Sequence, residues 1–139
     1  MKPPPAVEST LYCGVWAAPG RFVAVPIDRQ RIAHAPITIR HAPEACVHLL
    51  ECLATIGVNT LIVTDRNAPI VDAAHRTRLH VYTASHTLVE AIRNAAGLNQ
   101  RPLRHSAALL AGFALNPALR VLLRPAFAPA PQRQQLTLF

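Results

Sequence analysis

Two apolar runs rich in β-branched and aromatic residues are separated by the turn signal Pro19-Gly20. The first run spans residues 10–16 and the second spans residues 21–27, so this pattern predicts a β-hairpin. Residues 31–40 supply a third extended segment, and Pro36 within it indicates an edge strand or an interrupted strand. The chain is therefore expected to begin its fold with a hairpin followed by a third extended segment.

The middle of the chain changes to a helical period. Pro43 suits the first turn of a helix, apolar residues then recur at helical spacing, and Gly57 ends the pattern. Residues 60–64 form an unbroken apolar run, which predicts a central strand covered on both faces. A brief helix over residues 68–76 and a strand over residues 79–83 are expected to follow.

The last third of the chain is predicted to be helical. Ser85 is a good N-cap for a helix that ends near Gly97. Residues 103–115 form a helix rich in Ala and Leu on nearly every side, so it is either buried or an interface for a second protein or a second copy of this chain. Asn116 begins a last short helix, and from Pro125 onward Pro, Ala and Gln dominate.

These patterns predict one domain over residues 10–124, with a proline-rich leader at residues 1–9 and a flexible tail at residues 125–139. A chain of 139 residues with 51% hydrophobic content can bury one core. No apolar run has membrane-spanning length and no signal-peptide pattern occurs, so we expect a cytoplasmic protein with no membrane partner. Buried, reduced thiols are predicted for the three cysteines in apolar segments, Cys13, Cys46 and Cys52.

Positive charge is concentrated in the C-terminal third. Residues 91–139 hold six of the fourteen basic residues and none of the seven acidic ones. Such a segment suits nucleic-acid phosphates or an acidic protein surface, although it could also serve only to keep the surface soluble. Because aromatic residues make up only 5% of the chain, we expect any DNA contact to be electrostatic rather than by base stacking. The predicted nucleic-acid contacts are Arg101, Arg104, Arg120 and Arg124.

The predicted order, three strands followed by alternating helices and strands, resembles the ribonuclease H-like fold. The stretch from Pro43-Glu44-Ala45 to Thr64-Asp65 looks like the part of that family that runs from the acid of the first helix to the end of the fourth strand. The resemblance covers about residues 10–115. It implies an α/β fold in which three antiparallel strands precede parallel strands with crossover helices, here with an added C-terminal helical segment.

Nucleases of this family hold two Mg²⁺ ions with three or four carboxylates. The resemblance assigns Glu44 to the acid of the first helix and Asp65 to the acid of the fourth strand. The predicted first strand has no acid and the family's last acid is absent as well, so Asp72 or Glu90 would have to substitute for the missing groups. Structural roles for Glu44 and Asp65, in a helix first turn and a loop turn, are the alternative. We therefore expect a scaffold without nuclease activity, no metal site and no cofactor, with Mg²⁺ required only if the chain is a nuclease.

The last five residues, Gln135-Leu136-Thr137-Leu138-Phe139, form an apolar motif at the end of the predicted tail. They resemble the pentapeptide Gln-Leu-(Ser/Asp/Thr)-Leu-Phe, by which bacterial polymerases, mismatch-repair proteins and other replication factors dock on the DNA polymerase sliding clamp, the β subunit. The resemblance implies that Gln135 is the polar anchor at the mouth of the clamp pocket and that Leu138 and Phe139 fill the pocket. The alternative is an edge strand folded back on the domain, because the apolar residues alternate.

Together these features predict a non-catalytic accessory factor of bacterial DNA replication or repair that binds the sliding clamp through its tail. Two other hypotheses stay open. One is a clamp-recruited, metal-dependent nuclease or resolvase that uses Glu44 and Asp65. The other is an inhibitor from a mobile element that blocks the clamp to other factors.

Overall fold

A computed structural model describes residues 11–126 of the chain. One sheet contains the six strands of these residues: β1 (Leu11–Ala18), β2 (Arg21–Ile27), β3 (Ile37–Arg40), β4 (Val58–Thr64), β5 (His80–Ala84) and β6 (Arg124–Pro125). The α-helices within the same residues are α1 (Pro43–Thr55), α2 (Ala68–Ala74), α3 (His86–Ala95), α4 (Leu103–Phe113) and α5 (Pro117–Arg120). A short 3-10 helix, Leu98–Gln100, lies between α3 and α4.

The strand order across the sheet is β3-β2-β1-β4-β5-β6. β1 pairs antiparallel with β2, and β2 pairs antiparallel with β3, so the predicted three-stranded start is confirmed. β4 pairs parallel with β1 and with β5. α1 lies in the connection that leads into β4, and α2 lies in the connection from β4 to β5. The protein is therefore an α/β fold with a mixed sheet.

Pro36 limits the third strand, as the sequence predicts. β3 begins only at Ile37 and lies at the edge of the sheet, where a residue without a backbone N–H removes no ladder hydrogen bond. Before Ile37, the described part of this extended segment makes a single isolated bridge, between Ala33 and Ile27. The third segment is thus an interrupted edge strand.

The sheet buries both of its faces, because successive strand side chains point to opposite sides. On the first face, α1 and α2 cover a cluster that includes Cys13, Val15, Leu49, Leu50, Leu53, Leu61, Val63 and Ile70. On the second face, α3 and α4 cover a cluster that includes Trp16, Val23, Val25, Ile62, Val89, Ala107, Leu110 and Phe113. β4 contributes to both clusters, so its predicted central position is confirmed.

Local signals fix where the helices begin. α1 starts at Pro43 and buries an apolar stripe against the first face, as its helical spacing predicts. The Ser85 hydroxyl oxygen accepts a hydrogen bond from the Leu88 backbone N–H at 3.3 Å and caps α3. The Asn116 side-chain oxygen accepts one from the Ala118 N–H at 2.9 Å and caps α5. Each cap was predicted at these positions from the sequence.

α4 lies unusually close to β1, and Gly14 makes this approach possible. A Cβ atom at residue 14 would lie 2.0 Å from the carbonyl oxygen of Ala107 and 2.5 Å from the backbone nitrogen of Ala111. Only glycine fits beneath the helix at this point. The far end of α4 is held by Arg31, whose guanidinium donates to the Leu115 carbonyl oxygen at 3.1 Å.

β6 was not predicted from the sequence. Arg124 and Pro125 pair antiparallel with Thr83 and Tyr82 of β5, and the Ala126 N–H donates to the Val81 carbonyl oxygen at 2.9 Å. The rest of the predicted tail, including the pentapeptide, lies outside the described residues, and so does the predicted leader. Among the helices of residues 11–126, none combines the length and apolar character needed to cross a membrane.

We expect Gly14→Ala to lower the free energy of unfolding by about 3 kcal/mol or more, because α4 must move off the sheet to admit a methyl group. Gly112→Ala is the matched control. A Cβ atom at Gly112, within α4, would meet no heavy atom within 4 Å. The control should stabilise the protein by up to about 1 kcal/mol through helix propensity. Urea unfolding followed by circular dichroism measures both changes, and equal stability of the two variants would contradict the close approach.

Candidate functional site

A crevice lies outside the carboxyl ends of the parallel strands. β2 follows β1 in sequence and lies on one side of it, whereas β4 lies on the other side, so the strand order reverses at β1. Ligands of open α/β sheets bind at such a reversal of strand order. The crevice has a volume of about 570 Å³. Its lining residues are Trp16, Ala17, Ala18, Pro19, Arg21, His86, Glu90, Arg93 and Leu103. We call it the Trp16 crevice.

Arg93 joins three other side chains at the floor of this crevice. Its guanidinium carbon lies 4.4 Å from the centre of the Trp16 ring, a cation–π contact with a side chain that is only 5% exposed. Its Nε donates to the buried Ser106 hydroxyl at 2.7 Å, and its Nη1 donates to Glu90 Oε1 at 2.8 Å. α3 and α4 are therefore tied together through the cation of Arg93.

His86 occupies the other side of the crevice. Its ring stacks on Trp16 with centroids 5.7 Å apart, and its Nε2 lies 3.5 Å from Glu90 Oε2. Its Nδ1 lies 3.3 Å from the Thr64 hydroxyl at the end of β4. The backbone N–H of His86 donates to Asp65 Oδ1 at 3.1 Å. Asp65 thus has a structural role as acceptor for the first turn of α3, whereas the sequence predicted a structural role in its own loop turn.

The charged groups of the crevice largely satisfy one another. The Glu90 carboxylate lies between Arg93 and His86, so it is not available as an isolated base. Arg21 also lines the crevice, and its side chain makes no hydrogen bond or ion pair with another described residue. The crevice can therefore attract a small anionic group to Arg21, beside the Trp16 ring.

The structure separates the acids that a metal-dependent nuclease would need. Glu44 is exposed in the first turn of α1, in a groove that also contains Arg76. Asp72 lines a different groove between α1 and α2, and Glu90 lies in the Trp16 crevice. Among residues 11–126, no three His, Cys, Asp or Glu side chains come together in a group that could hold a metal ion. Neither predicted substitute completes a set with Glu44 and Asp65.

The four predicted DNA-contacting arginines fall into two groups. Arg101 and Arg104 lie at the start of α4, and Arg120 and Arg124 follow its C-terminal end. All four are exposed, and none of their side chains makes a hydrogen bond or ion pair with another described residue. An eleven-residue helix is about 16 Å long, so the two pairs face different parts of the surface.

The three cysteines differ in their exposure. Cys13 and Cys46 are buried as predicted, and burial raises the pKa of both thiols above the ordinary value. The prediction is wrong for Cys52, which is exposed. It lies on the outward side of α1, one helical turn after His48, and its Sγ is 3.7 Å from His48 Nε2.

No protein-family model matches the chain, and no curated protein matches it in sequence.

The Trp16 crevice was not predicted from the sequence. Trp16 and His86 are seventy positions apart, and only the parallel pairing of β1 with β4, and of β4 with β5, brings them together. The sole local signal was the cap at Ser85, which places His86 in the first turn of α3.

Arg93→Ala should lower the free energy of unfolding by about 2–4 kcal/mol, because it removes two charged hydrogen bonds and a cation–π contact. It also leaves the fully buried Ser106 hydroxyl without its donor. Arg101→Ala, which removes an exposed cation eight positions later, is the control and should change stability by less than about 0.5 kcal/mol. Urea titration of both variants gives the comparison, and a loss for Arg93→Ala no larger than the control's would mean that the cluster does not hold α3 on α4.

Proposed function

We propose that this protein is an accessory factor of bacterial DNA replication or repair that docks on the β sliding clamp through Gln135–Phe139. The observation that carries the proposal is the sequence of this pentapeptide, in which Gln135, Leu136, Leu138 and Phe139 match the fixed positions of the clamp-binding motif. The remaining position, Thr137, is one that the motif leaves variable.

We infer that the domain itself has a ribonuclease H-like fold. The order β3-β2-β1-β4-β5, with antiparallel pairing on one side of β1 and parallel pairing on the other, supports this inference. The crossover helices α1 and α2 both lie on the first face of the sheet. In this proposal the scaffold carries contacts with partners instead of a metal centre.

The distance along the chain from the last described residue to the pentapeptide supports a tethering role. Ala126 is bonded to β5, and nine positions separate it from Gln135. A span of nine residues reaches at most about 30 Å when extended. The clamp could therefore hold the pentapeptide while the domain lies beside it, close to DNA that passes through the clamp. The exposed arginines Arg101, Arg104, Arg120 and Arg124 are the groups we propose for electrostatic contact with that DNA.

A peptide of residues 130–139 should bind a bacterial clamp with micromolar affinity, since the pocket gains from burying two apolar side chains and loses from ordering the peptide. Leu138→Ala combined with Phe139→Ala should weaken binding by more than about 100-fold. Thr137→Ala is the matched control and should bind within about twofold of the original peptide, because the motif tolerates variation there. Fluorescence anisotropy measures all three.

The same substitutions in the full chain should reduce its retention on immobilised clamp in parallel. The absence of peptide binding at about 100 μM would refute the clamp proposal. Equal binding by the doubly substituted peptide would do the same, since an apolar contact unrelated to the motif would then explain the affinity.

A nuclease is the second candidate function, favoured by the strand order and by the position of Asp65 directly after β4. We expect duplex, hybrid and junction DNA to stay intact with Mg²⁺ or Mn²⁺, because Glu44 and Asp65 have no third carboxylate beside them among the described residues. A gel assay with labelled substrates tests this expectation. Metal-dependent cleavage that disappears in both Glu44→Gln and Asp65→Asn, but persists in Glu51→Gln on the same exposed side of α1, would establish the nuclease instead.

A further inference from the structure

A second cavity opens at the other end of the sheet from the Trp16 crevice. α4 runs antiparallel to β1, with Leu103 near Trp16 and Ala114 near Tyr12. Within residues 11–126, the four-residue α5 is the last helix after α4, and the described residues leave this part of the second face incompletely covered. The opening has a volume of about 330 Å³. We call it the tyrosine cavity, and its lining residues are Tyr12, Thr60, Tyr82, Ala114, Arg120 and Leu123.

The floor of the tyrosine cavity is aromatic. Tyr12 on β1 and Tyr82 on β5 are both half-buried, and Thr60 on β4 lies between their strands. Strands on either side of a third strand are about 9–10 Å apart, so a flat ring has room to lie against either phenol. Neither phenol hydroxyl is hydrogen-bonded to another described residue. The floor therefore offers a stacking surface together with polar groups that have no partner in the domain.

The charge at the rim of the tyrosine cavity is positive. Arg120 ends α5, is exposed, and its side chain makes no ion pair with another described residue. None of the six lining residues is acidic. An anionic group beside Arg120 would meet no repulsion from within the cavity, whereas a cationic ligand would find no counter-charge.

A flat ring joined to an anionic group is the chemical description of a nucleotide. The bases of a duplex are paired and stacked, so they cannot enter a concave site without being unpaired, whereas a single strand exposes them. A volume near 300 Å³ lies at the lower end for small-ligand pockets and suits one nucleotide. Leu123 and Ala114 add apolar walls that a base can contact.

We propose that the tyrosine cavity binds one nucleotide of a single-stranded nucleic acid, with the base against Tyr12 or Tyr82 and the neighbouring phosphate at Arg120. This assignment goes beyond clamp docking, since it uses only residues of the domain. It also differs from the expectation that DNA contact is purely electrostatic. The few aromatic residues of the chain include two on the open part of one sheet face, where stacking is available.

Fluorescence anisotropy with a labelled twelve-nucleotide oligothymidylate, the full chain, low salt and no clamp tests the proposal. Tyr82→Leu should weaken binding about tenfold or more, and Tyr82→Phe, which keeps the ring, should stay within about threefold of the unsubstituted chain. Arg120→Ala should weaken binding about fivefold, whereas Arg40→Ala, which removes the same charge from the exposed edge strand β3, should change it less than about twofold. Circular dichroism confirms that each variant is folded.

Three results would overturn the proposal. They are unchanged affinity in Tyr82→Leu, equal losses in Arg120→Ala and Arg40→Ala, and tighter binding of a duplex than of the single strand. If Tyr82→Leu does not fold, the comparison of the two arginine variants decides. Thymidine monophosphate serves as competitor, and displacement at concentrations similar to the oligonucleotide's would identify a free nucleotide as the ligand instead. The chain with Leu138→Ala and Phe139→Ala should bind the oligonucleotide normally, so failure of clamp docking and failure of nucleotide binding are distinguishable.

Discussion

The contact of α4 with the backbone of β1 at Gly14 determines how the second face of the sheet is built. Because residue 14 has no side chain, the helix backbone rests directly on the strand, and Leu110 and Phe113 are buried beside it. The height of α4 above the sheet then sets the geometry at both of its ends. One end leaves the Trp16 crevice and the other leaves the tyrosine cavity. A bulkier residue at this position would alter both openings at once.

Arginine serves two different purposes in this domain. Arg93 and Arg31 are committed to internal contacts, one to Glu90, Ser106 and Trp16, and the other to a carbonyl at the end of α4. Arg120 carries the same charge but makes no such contact with a described residue, so the whole charge is available to a partner. A count of basic residues in the sequence cannot separate arginines with internal contacts from arginines without them. Whether an arginine makes an internal contact depends on which helix lies beside which strand. The net charge of +7 therefore overstates the part that is free to attract nucleic acid.

Those parts of the fold that depend on local pattern could be predicted from the sequence. β2 has its predicted bounds, and α1 begins at the predicted proline and ends two residues before Gly57. Longer-range features could not be predicted. β6 has only two residues. It is a strand because it pairs with the edge of β5, and its own sequence has no pattern that predicts a strand. The Trp16 crevice likewise depends on strand order. The exposure of Cys52 depends on which side of α1 faces solvent. The pentapeptide lies outside the described residues, so its role stays a prediction from the sequence.

The two-residue strand β6 also bears on how the protein avoids self-association. The sequence of β5, with its Val, Tyr and Thr, is strongly suited to β-structure, and an open edge with such a sequence is a template for pairing with another chain. Arg124 and Pro125 occupy that edge, one with a charge and the other with no N–H to offer a further strand. A chain that ended before Arg124 would lose this protection. Arg124 and Pro125, which precede the pentapeptide in the chain, thus also protect the edge of the sheet against aggregation.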